Sequence, residues 1–94
     1  MTDLFILTKP PGSTRAELCF TLMERSTDPE LYLIGDGVFH LIKPTGIPAG
    51  TIITCKDDAL TRGIPAEEGA YPRDEFYERL VTGMMENSDH VYSF

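Results

Sequence analysis

The sequence is poor in the residues that build metal centres and disulfide frameworks. It has two cysteines, Cys19 and Cys55, and two histidines, His40 and His90. The cysteines do not form a CxxC pair and the histidines lack zinc-ligand spacing, so we expect neither a disulfide-dense secreted scaffold nor a tetrathiolate metal site. A glycine fingerprint for phosphate or dinucleotide binding is also missing, and we expect no cofactor. Cysteine usage favours a reducing, cytoplasmic setting.

Positive charge is scarce as well. Eight lysines and arginines face fifteen acidic residues, which gives a net charge of -7. A protein that binds nucleic acid by itself needs a basic surface to displace counterions, so direct nucleic-acid binding is not expected. Any link to RNA would pass through a partner. The acids are scattered along the chain, as is typical of a solvated surface.

Long apolar runs are the third absence. Residues 1–8 are apolar for only a few positions and carry an acid in place of a basic flank, while no later segment approaches membrane-spanning length. The sequence therefore predicts a soluble, untargeted protein with no membrane contact. Its 94 residues suit one small domain, spanning 1–94.

Segments typical of strands and helices alternate along the chain. Thr14-x-x-Glu17 has the form of a capping box, so we expect a first helix to begin at Ser13 or Thr14. This alternation predicts an α/β fold with a mainly parallel sheet and helices on its faces. Strands are expected at 3–8, 30–34, 51–55 and 90–94, the last at an edge, with helices at 38–42, 57–61 and 73–87 and a loop at 64–69.

Cys55 is the first candidate for chemistry, because it ends a predicted strand where a helix begins. A helix N-terminus favours the thiolate, which is the nucleophilic form. Lys56 would add to that effect, whereas Asp57 and Asp58 oppose it, and Arg62 could reach back over the site. A reactive thiol also needs partial exposure. The alternative is that Cys55 is a small buried residue closing a strand.

The remaining candidates favour structural roles. Cys19 lies on an apolar helical stripe, so core packing is the better interpretation and chemistry the second. Asp36 follows the second strand as a phosphoacceptor would, but the acids expected after the first strand are missing, which favours a turn aspartate. We interpret His40 and His90 as surface or capping residues.

Several short motifs come in an order that points to one family. They are Lys9-Pro10 after the first strand, Leu33-Ile34-Gly35-Asp36-Gly37-Val38, Asp58 four residues before Arg62-Gly63-Ile64, and Tyr71-x-x-Asp74-x-Phe76 before a terminal strand with an aromatic end. In this order and spacing the chain resembles the DsrE/DsrF/DsrH superfamily, most closely its DsrH or TusB branch of small subunits of cytosolic sulfur-relay complexes. The likeness spans nearly the whole chain.

The resemblance implies a Rossmann-like or flavodoxin-like three-layer sandwich and oligomeric assembly, either with itself or with DsrE/DsrF-like subunits. It also implies transfer of sulfur as a cysteine persulfide from an upstream donor protein, in tRNA 2-thiouridine synthesis or in sulfur oxidation. Cys55 stands where the DsrE and TusD branch carries its persulfide cysteine, whereas typical DsrH members have an apolar residue there. Cys19 matches a cysteine on the first helix of some DsrH proteins.

Two functions of different classes remain. The chain is a sulfur carrier through Cys55, or it is a non-catalytic interaction subunit whose cysteines are structural. Apolar residues that we expect to be exposed favour self-association in either case. They are Phe39, Ile42, Met84 and Met85.

Overall fold

A computed structural model describes residues 3–42, 47–48, 50–65, 69–87 and 90–94 of the chain. Five strands form one sheet in the order β4-β3-β2-β1-β5, and neighbouring strands are parallel. The strands are β1 Asp3–Leu7, β2 Pro29–Leu33, β3 Thr51–Cys55, β4 Ala70–Tyr71 and β5 His90–Ser93. The helices are α1 Thr14–Glu24, a 3-10 helix Gly35–Leu41, α2 Lys56–Thr61 and α3 Arg73–Thr82, which continues as a π-helical turn Gly83–Asn87.

The helices cover both faces of the sheet. The connections from β1 to β2, from β2 to β3 and from β3 to β4 each lead to the neighbouring strand in the same direction across the sheet. The last connection runs in the opposite direction, from β4 at one edge to β5 at the other. Right-handed crossovers place connections that run in opposite directions on opposite faces, so α3 packs on one face of the sheet and α1, the 3-10 helix and α2 pack on the other. We call the two faces the α1 face and the α3 face. The predicted three-layer α/β sandwich with a mainly parallel sheet is confirmed.

Each face has its own buried core, because alternate residues of a strand point to opposite sides. On β1, Phe5 belongs to the α1 face and Leu4 to the α3 face. The α1-face core comprises Phe5, Leu7, Ala16, Cys19, Met23, Leu31, Leu33, Val38, Ala59 and Ile64. The α3-face core comprises Leu4, Tyr32, Ile53, Cys55, Phe76 and Leu80.

The start of α1 differs in detail from the predicted capping box. Ser13 occupies the N-cap with an extended backbone, and its hydroxyl accepts a 3.0 Å hydrogen bond from the backbone N–H of Ala16. Thr14 is already helical, so the prediction that Thr14 and Glu17 form the capping pair is wrong. The reason is local geometry: the residue whose backbone is still extended can turn its oxygen onto the free N–H groups of the first turn.

The 3-10 helix packs closely against the end of β1. A Cβ added to Gly37 would collide with the carbonyl oxygen of Leu7, so only glycine allows this approach. His40 is consequently buried, and our expectation of a surface or capping histidine is wrong for it. Its Nε2–H donates to the carbonyl oxygen of Lys9 at 3.1 Å, and burial lowers its pKa. His90, by contrast, is exposed.

Strand β4 is the element that the sequence did not predict, because two residues are too few to show an alternating pattern. It follows the predicted loop, of which residues 66–68 lie outside the described residues. Strand β5 lies at an edge of the sheet, as expected. In the part of the chain that the structure describes, every helix is too short or too polar to cross a membrane.

Candidate functional site

The carboxyl ends of β2, β3 and β4 meet at one edge of the sheet. Parallel strands bring the residues that follow them together there, which is where open α/β folds place their ligands. Gly35 and Asp36 follow β2, Cys55 ends β3, and Arg73 follows β4 by two residues. We define the Cys55 cluster as Gly35, Cys55, Asp57, Asp58 and Arg73.

Cys55 is the last residue of β3 and the residue at the N-cap of α2. Its side chain points to the α3 face, where it belongs to the same core as Phe76, and it is 0 % exposed. A reactive thiol needs partial exposure, and our expectation that Cys55 would have it is wrong. Successive side chains of a strand point to opposite faces of the sheet, and this alternation directs the Cys55 side chain to the face covered by α3.

A charged side chain meets this buried thiol. The guanidinium of Arg73 donates to Asp58 at 3.3 Å, and its interactions with Asp58 and, second, with the Cys55 side chain raise the pKa of Arg73. A guanidinium is always protonated in proteins, so its positive charge is permanent. A permanent positive charge beside sulfur stabilises the thiolate.

Asp58 links three elements through its two carboxylate oxygens. Oδ2 accepts a 2.8 Å hydrogen bond from the backbone N–H of Gly35, and Oδ1 accepts one of 3.3 Å from Nη2 of Arg73. Gly35 has a φ of +58°, a left-handed conformation that suits glycine. Asp58 on α2 therefore fixes the turn after β2 and the head of Arg73 relative to each other.

Asp57 anchors the beginning of α3 from outside that helix. Pro72 occupies the N-cap and has no side-chain donor or acceptor, so the first turn lacks a cap of its own. Oδ2 of Asp57 supplies it, accepting a 3.1 Å hydrogen bond from the backbone N–H of Arg73. Both aspartates that we expected to oppose the thiolate are thus engaged with Arg73, Asp57 through its backbone N–H and Asp58 through its guanidinium.

Arg62 turns away from Cys55. Its Nε donates to Oδ1 of Asp36 at 3.2 Å, and its Nη1 donates to the carbonyl oxygen of Asp58 at 3.1 Å. The guanidinium also lies over the ring of Phe39, 5.9 Å from its centre. Asp36 is accordingly a turn residue held by an ion pair, as we expected of it. Lys56 is exposed at the start of α2.

Sequence reasoning missed Arg73, although one signal pointed to it. The N-terminal end of a helix carries a partial positive charge, which repels a positive side chain in the first turn. An arginine at this position is favourable only when an acidic side chain pairs with it. Asp58 provides that partner from fifteen residues upstream. That pairing follows from the sheet, which brings the ends of β3 and β4 together.

Cys19 lies on the other side of the sheet from Cys55. It is fully buried in the α1-face core, and burial raises its pKa to about 12. A thiol with that pKa stays protonated and unreactive near neutral pH. Core packing, the favoured interpretation of its helical stripe, is confirmed, and the two sulfurs do not share a site.

An open groove of about 470 Å³ also lies on the α3 face, but it does not include Cys55. Among the described residues, no group of three or more histidine, cysteine or acidic side chains could hold a metal ion. The groove is lined by Glu30, Tyr32, Ile53, Glu75, Glu78, Arg79, Thr82 and Gly83.

Comparisons with known proteins support the fold. No family model matches this chain, and no curated protein does. The solution NMR structure of protein Tm0979 from Thermotoga maritima is similar, with a TM-score of 0.60 and 21 % sequence identity over 92 % of this chain and 99 % of that chain. At that identity the likeness concerns architecture, and it establishes that this chain shares its fold with Tm0979.

Proposed function

We propose that the protein is a sulfur-relay protein that accepts sulfane sulfur on Cys55 and passes it on as a persulfide. The observation that carries the proposal is the position of Cys55 at the carboxyl edge of the sheet, where it ends β3 and begins α2 beside the Arg73–Asp58 ion pair. The resemblance to the DsrE/DsrF/DsrH superfamily supports it, since Cys55 stands at the persulfide position of the DsrE and TusD branch. The parallel α/β sandwich is the fold that this resemblance implies.

The transfer would proceed by thiol exchange. The Cys55 thiolate attacks the outer sulfur of a donor persulfide, a new S–S bond forms, and the donor's S–S bond breaks with its electron pair on the departing thiolate. The proton lost by Cys55 ends on that thiolate. A second exchange hands the outer sulfur to an acceptor thiol, so no external oxidant or reductant is needed. Arg73 stabilises the negative sulfur of Cys55 before attack.

The same resemblance supports a cytoplasmic role in tRNA 2-thiouridine synthesis or sulfur oxidation, with DsrE/DsrF-like subunits as partners and a protein persulfide as donor. Exposed apolar side chains on α3 and the turn after it favour such assembly, because they would be covered in an oligomer. Met85 is 80 % exposed. The others are Tyr77, Val81 and Met84.

Incubation with a cysteine desulfurase and cysteine, followed by mass spectrometry of the intact protein, tests the proposal. We expect the wild-type protein to gain one sulfur atom and Cys55→Ser to gain none. Cys19→Ser is the matched control, and it should gain sulfur as the wild type does because Cys19 is buried on the other face. Absence of added sulfur in all three proteins would contradict the proposal.

The complete burial of Cys55 favours a second candidate, a non-catalytic subunit of a DsrE/DsrF/DsrH-type hetero-oligomer. In that case both cysteines are structural, and the exposed face of α3 is the surface that binds the partner subunit. The same experiment separates the candidates: stable association of Cys55→Ser with a DsrE-like partner, together with no sulfur gain in the wild type, would establish the interaction subunit.

A further inference from the structure

Two side chains of α3 lie near Cys55. Arg73 and Phe76 are three residues apart, so they lie on the same face of the helix. Phe76 shares a buried core with Cys55, and the guanidinium of Arg73 interacts with the Cys55 side chain. Phe76 is 0 % exposed and packs edge-on against Tyr32, with ring centres 5.8 Å apart. The Arg73 side chain is 56 % exposed. The fully buried thiol therefore lies beside one fixed side chain and one that borders solvent.

The attachments of Arg73 allow its side chain to move independently of the helix. The backbone N–H of Arg73 is held by Asp57, whereas the guanidinium is held by Asp58. Asp58 keeps its second carboxylate oxygen on Gly35, so it stays in place when the guanidinium leaves. Ion pairs that border solvent are weak and exchange readily with other anions.

We propose that the Arg73 side chain is a movable cover over Cys55, latched by Asp58 and opened when an anionic group takes the guanidinium from that carboxylate. The proposal rests on the proposed role of Cys55 as sulfur acceptor, for which the opening group is the negatively charged persulfide of the donor. That group would meet Arg73 before it meets the thiol. The cover thereby keeps Cys55 from neutral oxidants and thiol reagents while no donor is present.

Alkylation of the full chain by neutral iodoacetamide tests the cover without any sulfur donor. Peptide mass spectrometry follows Cys55 and Cys19 in the same molecules, and Cys19 reports global unfolding because it is buried on the opposite face. In Asp58→Asn the side-chain oxygen can still accept from Gly35, but the amide no longer holds the guanidinium. We expect Cys55 to react about fivefold faster in this variant, with Cys19 unchanged.

The matched control is Asp36→Asn, which removes a carboxylate from the Arg62 ion pair at the same edge and should leave the Cys55 rate at the wild-type value. Arg73→Gln distinguishes a cover from a merely structural contact. It removes both the cover and the positive charge, so the pH profile of Cys55 alkylation should shift to higher pH relative to Asp58→Asn.

Equal Cys55 rates in the wild type and Asp58→Asn would overturn the cover, and so would acceleration of Cys19 in step with Cys55. A pH profile that is the same in Arg73→Gln and Asp58→Asn would overturn the part assigned to the charge. The proposed function is tested independently of the cover. It would be contradicted, and the cover would stand, if the wild-type protein gained no sulfur from the desulfurase while Asp58→Asn still accelerated Cys55 alkylation.

Discussion

The two faces of the sheet bury a cysteine each, and they do so in different ways. The α1 face is closed by α1, the 3-10 helix and α2, and Cys19 sits in the middle of a helix among apolar side chains. The α3 face is closed by one helix, and Cys55 sits at the sheet's carboxyl edge beside Arg73. Both thiols are 0 % exposed. Exposure alone therefore does not distinguish an inert thiol from a candidate nucleophile; the neighbouring charge does.

The difference follows from the position of each residue within its element. A residue in the middle of a helix stripe meets only the core, whereas the last residue of a strand adjoins the loops and helix ends that carry polar groups. Among the residues that the structure describes, the α3 face also depends on fewer side chains, with six buried residues in its core against ten on the α1 face. We therefore expect substitutions in the core to open the α3 face more readily than the α1 face.

The largest effect should come from Phe76→Ala, which removes a fully buried ring from the core that also contains Cys55. Truncation of a fully buried phenylalanine costs about 3–5 kcal/mol of the free energy of unfolding. Urea denaturation measures that loss. Because α3 loses its main anchor, Cys55 should also become alkylated faster than Cys19 under native conditions.

The neighbouring Tyr77→Ala is the control for Phe76→Ala. Tyr77 is 42 % exposed on the same helix, and its truncation should cost less than about 1 kcal/mol. A comparable loss of stability in both variants, or equal acceleration of alkylation at the two cysteines, would contradict the view that the α3 face opens by itself.

An intermediate effect is expected from one substitution made on both faces. Cys19→Ser places a hydroxyl in an apolar core and should destabilise the protein by about 1–3 kcal/mol. In Cys55→Ser the hydroxyl can accept a hydrogen bond from Arg73, so the loss should stay below about 1 kcal/mol.

Chemical denaturation of the two serine variants measures this contrast. Cys19→Ala and Cys55→Ala serve as controls, because both remove the sulfur without adding a polar atom. A larger loss for Cys55→Ser than for Cys19→Ser would show that Arg73 does not accommodate a polar group at Cys55.

The smallest effect concerns His40, whose burial on the α1 face lowers its pKa below the ordinary value of 6.5. As the pH falls below 6.5, His40 binds a proton more readily in the unfolded chain than in the native protein. The contribution of neutral, buried His40 to the free energy of unfolding is therefore complete above pH 6.5 and is lost as the pH falls below that value. His40→Gln keeps an N–H donor for Lys9 but does not titrate.

Urea denaturation of the wild type and His40→Gln from about pH 7.5 down to about pH 5.5 measures this contribution. The advantage of the wild type should shrink towards low pH, while the exposed His90 remains the same in both proteins. A difference that stays constant over this range would mean that His40 takes up its proton as readily in the folded state as in the unfolded chain.

The pattern of the chain was sufficient for most of the architecture. The β-branched and apolar residues of 51–55 predicted a strand with the bounds Thr51–Cys55, and Gly63 follows the end of α2 with a φ of +71°, a conformation that suits glycine. Short or irregular elements gave weaker signals. Strand β4 was missed, and the cap of α1 belongs to Ser13, because such details depend on one or two residues.

The sequence by itself determined the alternation of strands and helices, the helical stripe that buries Cys19, and the place of Cys55 at the end of a strand. Those features depend on local periodicity and on side-chain chemistry. Only the tertiary structure decided that Cys55 is covered and that its charged neighbour is Arg73, not Arg62. The reason is that strand pairing joins residues far apart in the chain, and no local pattern records which of them will meet.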